Sequence, residues 1–129
     1  MTTDEKKKIM IVDDEPELLE SLEMSLKMNN FDSVKAGSGK ECLDLVKTQK
    51  PDLIVLDIMM PEMDGFEVLN RLKADNGTKD IPVILLTAKT GDMDVLKGYQ
   101  EGAAVYITKP FLFAELIDNI QLALNIPIK

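Results

Sequence analysis

Short continuous apolar runs alternate along the chain with longer stretches in which apolar residues recur every three or four positions. Ile9-Met10-Ile11-Val12, Leu53-Ile54-Val55-Leu56, Val83-Ile84-Leu85-Leu86 and Val105-Tyr106-Ile107 are runs of the kind found where both faces of a parallel strand are covered. Phe31-Asp32-Ser33-Val34-Lys35 is more polar and suits a strand at the edge of a sheet. Between the runs, Leu18, Leu19, Leu22 and Leu26 form a helical stripe, and Phe113, Leu116, Ile117, Ile120 and Leu124 form another near the end of the chain. Each stripe is expected to lie against a sheet.

Local signals place the helix ends. Pro16 suits a first-turn position, Ser38 with Glu41 makes a capping box, Asp64 can cap the helix that carries Phe66 and Leu69, and Gly102 is placed to end a fourth helix. The strand-helix alternation repeats five times with no linker or low-complexity tract between units. The predicted fold is therefore α/β. Right-handed crossovers make it a five-stranded parallel sheet with helices on both faces, matching the flavodoxin-like doubly wound (βα)5 topology. The expectation is one domain over 1–129, with its core at about 7–125.

Composition narrows the chemistry. Cys42 is the single cysteine and histidine is absent, which rules out an intramolecular disulfide, a Cys/His zinc site and any imidazole base. Carboxylates and hydroxyls must do the work. The formal net charge of -8 argues against direct nucleic-acid contact, which needs clustered Lys and Arg. No apolar run approaches the roughly 20 residues that cross a bilayer, and the polar start of the chain lacks the apolar stretch of a secretory signal. No membrane association and a cytoplasmic location are expected.

In a sheet of this kind ligands bind beyond the carboxyl ends of the strands. The residues there are Asp13 and Asp14 after the first strand, Asp57 after the third, Thr87 after the fourth and Lys109 after the fifth. Crowded carboxylates repel one another unless a cation neutralises them, and an all-oxygen donor set points to a hard ion, magnesium with manganese as a substitute. Asp14 and Asp57 are the candidates for direct ligation, Asp13 for holding one of the ion's waters, and a main-chain carbonyl just after Asp57 for completing the set. A metal beside a carboxylate, with an ammonium and a hydroxyl opposite, also suits transfer of a phosphoryl group onto Asp57.

Four segments, Ile11-Val12-Asp13-Asp14-Glu15, Leu56-Asp57-Ile58-Met59-Met60-Pro61-Glu62-Met63-Asp64-Gly65, Leu86-Thr87-Ala88-Lys89 and Thr108-Lys109-Pro110-Phe111, resemble the signature segments of bacterial two-component response regulator receiver domains, in order and at the family's spacing. The resemblance covers nearly the whole chain. It implies the strand order 2-1-3-4-5 and phosphorylation of Asp57 by a histidine kinase or a histidine phosphotransfer protein. It further implies that Asp13, Asp14 and the backbone of Met59 serve the metal, that Lys109 and Thr87 contact the phosphoryl group, and that Tyr106 changes rotamer on activation. Met59 and Lys89 stand where the family tunes dephosphorylation, and Lys109-Pro110 where it carries a cis peptide. The implied molecule is a switch, not a conventional enzyme. It would change its surface around the fourth helix, fifth strand and last helix to control an effector, or an output domain that these residues do not include.

Two other readings are weaker. An aspartate-nucleophile phosphatase of the haloacid dehalogenase type needs a second Asp two residues after the nucleophile, where Met59 stands. A flavin or nucleotide module would bring phosphates to an acidic first loop. The family's DNA-bound dimers often carry acidic residues before the Tyr106 position and basic ones in the last helix. Ala103, Ala104, Glu115 and Asp118 depart from that pattern.

Overall fold

The computed structural model describes residues 6–87 and 102–125. Five strands, β1 (Lys8–Val12), β2 (Asp32–Ala36), β3 (Leu53–Asp57), β4 (Val83–Thr87) and β5 (Val105–Thr108), form one parallel sheet in the order β2-β1-β3-β4-β5. The described helices are α1 (Pro16–Met28), α2 (Gly39–Gln49), α3 (Gly65–Ala74) and α4 (Phe113–Ala123). The expected topology and strand order are both present. The fourth helical segment predicted from the sequence falls between β4 and β5, outside the described residues, as does Lys89.

Successive strand side chains point to opposite faces, so each continuous apolar run feeds two cores. Ile9, Ile11, Leu53, Val55, Ile84, Leu86 and Ile107 lie on one face under Leu19, Leu22 and Leu26 of α1 and Leu116, Ile117 and Ile120 of α4. Met10, Val12, Ile54, Leu56, Val83 and Leu85 lie on the other under Cys42 and Val46 of α2 and Phe66, Val68, Leu69 and Leu72 of α3. β2 is the edge strand its polarity foretold, with only Ala36 fully buried. It begins one residue later than the sequence pattern placed it. Phe31 stays outside the ladder and is buried against the α1 side of the sheet.

Helix ends follow the local signals, with two differences. Pro16 occupies the first turn of α1, and Asp64 Oδ1 accepts from the Glu67 N–H at 2.9 Å to cap α3. Ser38 Oγ accepts from the Glu41 N–H at 3.1 Å, but the Glu41 carboxylate accepts from the Gly37 N–H, so the capping box is closed one residue early. Phe113, expected on the buried stripe, is 41% exposed. It is the first residue of α4, and its ring meets Phe111 edge to face at 6.0 Å.

Candidate functional site

Strand register brings the predicted site residues to one rim. Val12 pairs with Leu56, so Asp13 and Asp57, each one residue further on, leave the sheet side by side. Asp57 pairs with Leu86 and Thr87 with Thr108, so Thr87 stands one residue past the level of Asp57 on the next strand and Lys109 one residue past Thr87 on the strand after it. Asp13, Asp57 and Thr87 are all buried, at 1%, 3% and 1% exposure. Asp14 is exposed. Carboxylate oxygens of Asp13, Asp14 and Asp57 lie within 4.8 Å of one another, the one such acidic or metal-ligating cluster among the described residues.

Lys109 is the counter-charge. Its Nζ donates to Asp13 Oδ2 at 3.0 Å and stands 3.4 Å from Asp57 Oδ1. The Asp13 carboxylate is further occupied by the Glu15 N–H, donated to Oδ1 at 2.9 Å. The Lys109-Pro110 peptide is cis, as the resemblance implied.

The environment divides the acid-base behaviour of these groups. Burial and the neighbouring Asp13 charge push the Asp57 carboxyl up from its ordinary 3.8 to about 6, against the opposing pull of Lys109 and a hydrogen bond from the Met59 backbone. One ammonium between two buried carboxylates is too little positive charge to cancel both desolvation and repulsion. For Lys109 the balance is reversed: burial favours the neutral amine, but the contacts with Asp13 and Asp57 outweigh it and the ammonium is held above its usual value. The donor set fits a small hard cation. Three oxygens already face one another, and the raised Asp57 carboxyl marks a shortage of positive charge at that point.

The β3-α3 connection is built tightly around Asp57. The Ile58 N–H donates to Leu86 O at 2.9 Å and the Gly65 N–H returns to Ile58 O at 2.9 Å. A Cβ at Gly65 would stand 2.6 Å from Asp57 O and 2.7 Å from Ile58 Cα, both backbone, so only glycine permits α3 to start there. Met59, expected to offer its carbonyl, has its side chain 54% exposed, whereas Met60 is buried. Tyr106 packs against the α2-α3 core with its hydroxyl buried and, among the described residues, without a hydrogen-bond partner.

A family model described as the response regulator receiver domain matches residues 9–121. The chain belongs to that family. The receiver domain is 40% identical over 120 residues to the DNA-binding response regulator MtrA of Mycolicibacterium smegmatis, covering 93% of the chain and 51% of that protein. It is 38% identical over 118 residues to the DNA-binding dual master transcriptional regulator RpaA of Synechocystis, covering 92% of the chain and 49% of that protein. It thus spans about half the length of the curated relatives it matches. Among solved structures, the receiver domain of the Francisella response regulator 1452 superposes with a TM-score of 0.88 at 32% identity, covering 93% of this chain and 98% of that one. Chemotaxis protein CheY4 of Vibrio cholerae superposes with a TM-score of 0.87 at 26% identity, covering 92% and 98%.

The receiver domain therefore has the architecture of a two-component signalling module, not of a conventional enzyme. Two residues at the rim drew no separate role from the sequence. Gly65 could have been found from its place at the start of a helix immediately after the loop that follows Asp57. Glu15 follows the acidic pair, and its 3.8 Å approach to Lys109 joins positions far apart in the chain, a contact no local pattern displays.

Proposed function

We propose that this receiver domain is a phosphorylation-driven switch whose phosphoacceptor is Asp57. The observation that carries the reading is a buried carboxylate at the end of the central strand with Asp13 and Asp14 oxygens beside it and the Lys109 ammonium 3.4 Å away. With its carboxyl at about 6, Asp57 is mostly ionised near neutral pH and needs no general base. One of its oxygens forms a bond to phosphorus while the bond from phosphorus to the donor breaks, and the donor leaves with that electron pair. Lys109 meets the charge on the equatorial oxygens, and Thr87 donates its hydroxyl to one of them. Asp14, Asp57 and the Met59 carbonyl would hold Mg2+, or Mn2+ in its place, with Asp13 on a bound water, since Lys109 and the Glu15 N–H already engage both Asp13 oxygens. The ion supplies charge neutralisation at the carboxylates and the phosphoryl group.

Drawing Thr87 toward the phosphoryl group would free space beside it, favour one Tyr106 rotamer and alter the surface around β5, α4 and the segment between β4 and β5. The proposed donors are a sensor histidine kinase or a histidine phosphotransfer protein. The recipient is an effector, or an output domain such as the rest of the longer relatives represents. DNA binding belongs to those relatives by name, and the net charge of -8 argues against it for these residues themselves. Such donors place the protein in the cytoplasm; no helix of the described residues is long and apolar enough to cross a membrane.

The test is intact mass after incubation with acetyl phosphate, with and without Mg2+, for the native chain and Asp57→Asn. A Mg2+-dependent gain of one phosphoryl group, absent from the variant, is expected. A gain that persists in the variant would move the acceptor elsewhere, and no gain by the folded native chain would leave a fixed interaction module.

A further inference from the structure

Glu15 is the N-cap residue of α1, yet its side chain makes no capping hydrogen bond. Its carboxylate reaches instead to 3.8 Å from Lys109 Nζ. The ammonium thus faces three carboxylates: Asp13 at 3.0 Å, Asp57 at 3.4 Å and Glu15 at 3.8 Å. The first two side chains are 1% and 4% exposed, whereas that of Glu15 is 67% exposed. Glu15 is therefore the carboxylate on the solvent side of Lys109. Any phosphodonor that reaches Asp57 must arrive from that side, because the sheet and its two cores close off the other.

We propose that Glu15 is a positioning residue that holds Lys109 toward the rim and places a negative charge in the approach to Asp57, slowing phosphoryl loading from small anionic donors. The proposal rests on Asp57 being the acceptor. The resting contacts of Lys109 are not those it needs during transfer. As the Asp57 oxygen bonds to phosphorus and the acetate of acetyl phosphate leaves with the electron pair of the broken P–O bond, a Lys109 N–H must turn to an equatorial phosphoryl oxygen. Of its three partners, Glu15 is the most distant and the most solvated, so it is the one Lys109 releases at least cost. Until it is released, its charge draws the ammonium away from the incoming phosphoryl group.

An exposed ion pair of this kind is worth about a two- to fivefold change in rate, and salt screens it, the Debye length falling from about 10 Å at 0.1 M to about 3 Å at 1 M. The experiment follows the initial rate of phosphoryl mass gain of the full chain with Mg2+, for the native protein, Glu15→Gln, Glu15→Asp and Asp57→Asn. Acetyl phosphate and the less negatively charged phosphoramidate serve as donors, at low and high salt. Glu15→Gln is expected to load two to five times faster than native from acetyl phosphate at low salt, with a smaller gain from phosphoramidate and at high salt. Glu15→Asp, which keeps the charge, is expected to stay close to the native rate. A merely structural role would change the rate without regard to donor charge or salt. Native loading at Asp57 with Glu15→Gln no faster, or equally fast gains across donors and salts, would overturn the role of Glu15 alone. Absence of native loading, or loading that survives Asp57→Asn, would overturn the acceptor assignment and this inference with it.

Discussion

Replacing Asp57 by Asn should make the metal-free protein more stable at neutral pH. The carboxyl is raised from 3.8 in a free chain to about 6 in the fold, with burial and the Asp13 charge outweighing Lys109. At each pH between those values the folded state binds this proton more tightly than the unfolded state. Stability is thus retained below about pH 4, declines as pH rises through the window, and has fallen by its full amount above about pH 6. A difference of that size corresponds to about 3 kcal/mol. Asn carries no charge, its oxygen can still accept from the Met59 N–H, and Lys109 keeps its 3.0 Å bond to Asp13. What is lost is the 3.4 Å contact of Lys109 with Asp57. The expected net gain is about 1–3 kcal/mol at pH 7.5 in EDTA, or roughly 4–12 °C in melting temperature for a domain of this size. Urea unfolding of both proteins at pH 7.5 and pH 5 measures it, and the advantage should shrink at the lower pH. Added Mg2+ should narrow it too, by stabilising the native protein through binding. An Asn variant no more stable than native at pH 7.5, or an advantage that does not fall toward pH 5, would refute the claim that the Asp57 carboxylate is held ionised at a cost.

Lys109→Gln should act in the opposite direction, since it strips the counter-charge from two buried carboxylates; a loss of about 2–3 kcal/mol at pH 7.5, smaller at pH 5, is expected in urea unfolding. Gly65→Ala should cost about 2–3 kcal/mol in thermal unfolding, because the added Cβ meets backbone at 2.6 Å from Asp57 O and 2.7 Å from Ile58 Cα, neither of which can rotate away. Cys42 is fully buried and its thiol is pushed up to about 12 by burial, so a thiol reagent such as Ellman's should react with it in denaturant and not in the native protein; prompt native reaction would contradict the packing of α2.

The chain's own pattern reached far. Continuous apolar runs required strands covered on both faces, helical stripes required helices to cover them, and parallel crossovers required the strand ends to share a rim. Asp13, Asp57, Thr87 and Lys109 could therefore be placed together before any coordinates, because each directly follows or ends a strand. Local chemistry also set the starts of α1 and α3, since Pro16 and Asp64 act within a turn of themselves.

What only the tertiary structure decided involves residues distant in sequence. Lys109 divides itself among Asp13, Asp57 and Glu15, and the unequal distances follow from the register of β1, β3 and β5 and from where α1 begins. The raised carboxyl of Asp57 depends on burial and on a neighbour from another strand, quantities that a linear pattern does not contain. Phe113 matched the helical period yet stands exposed beside Phe111, because periodicity assigns a residue to a face but not to a height along the sheet. Secondary structure and the rim were legible because they arise from short-range periodicity and chain connectivity; the charge balance at Asp57 was not, because electrostatic energy depends on three-dimensional distance and solvent exclusion.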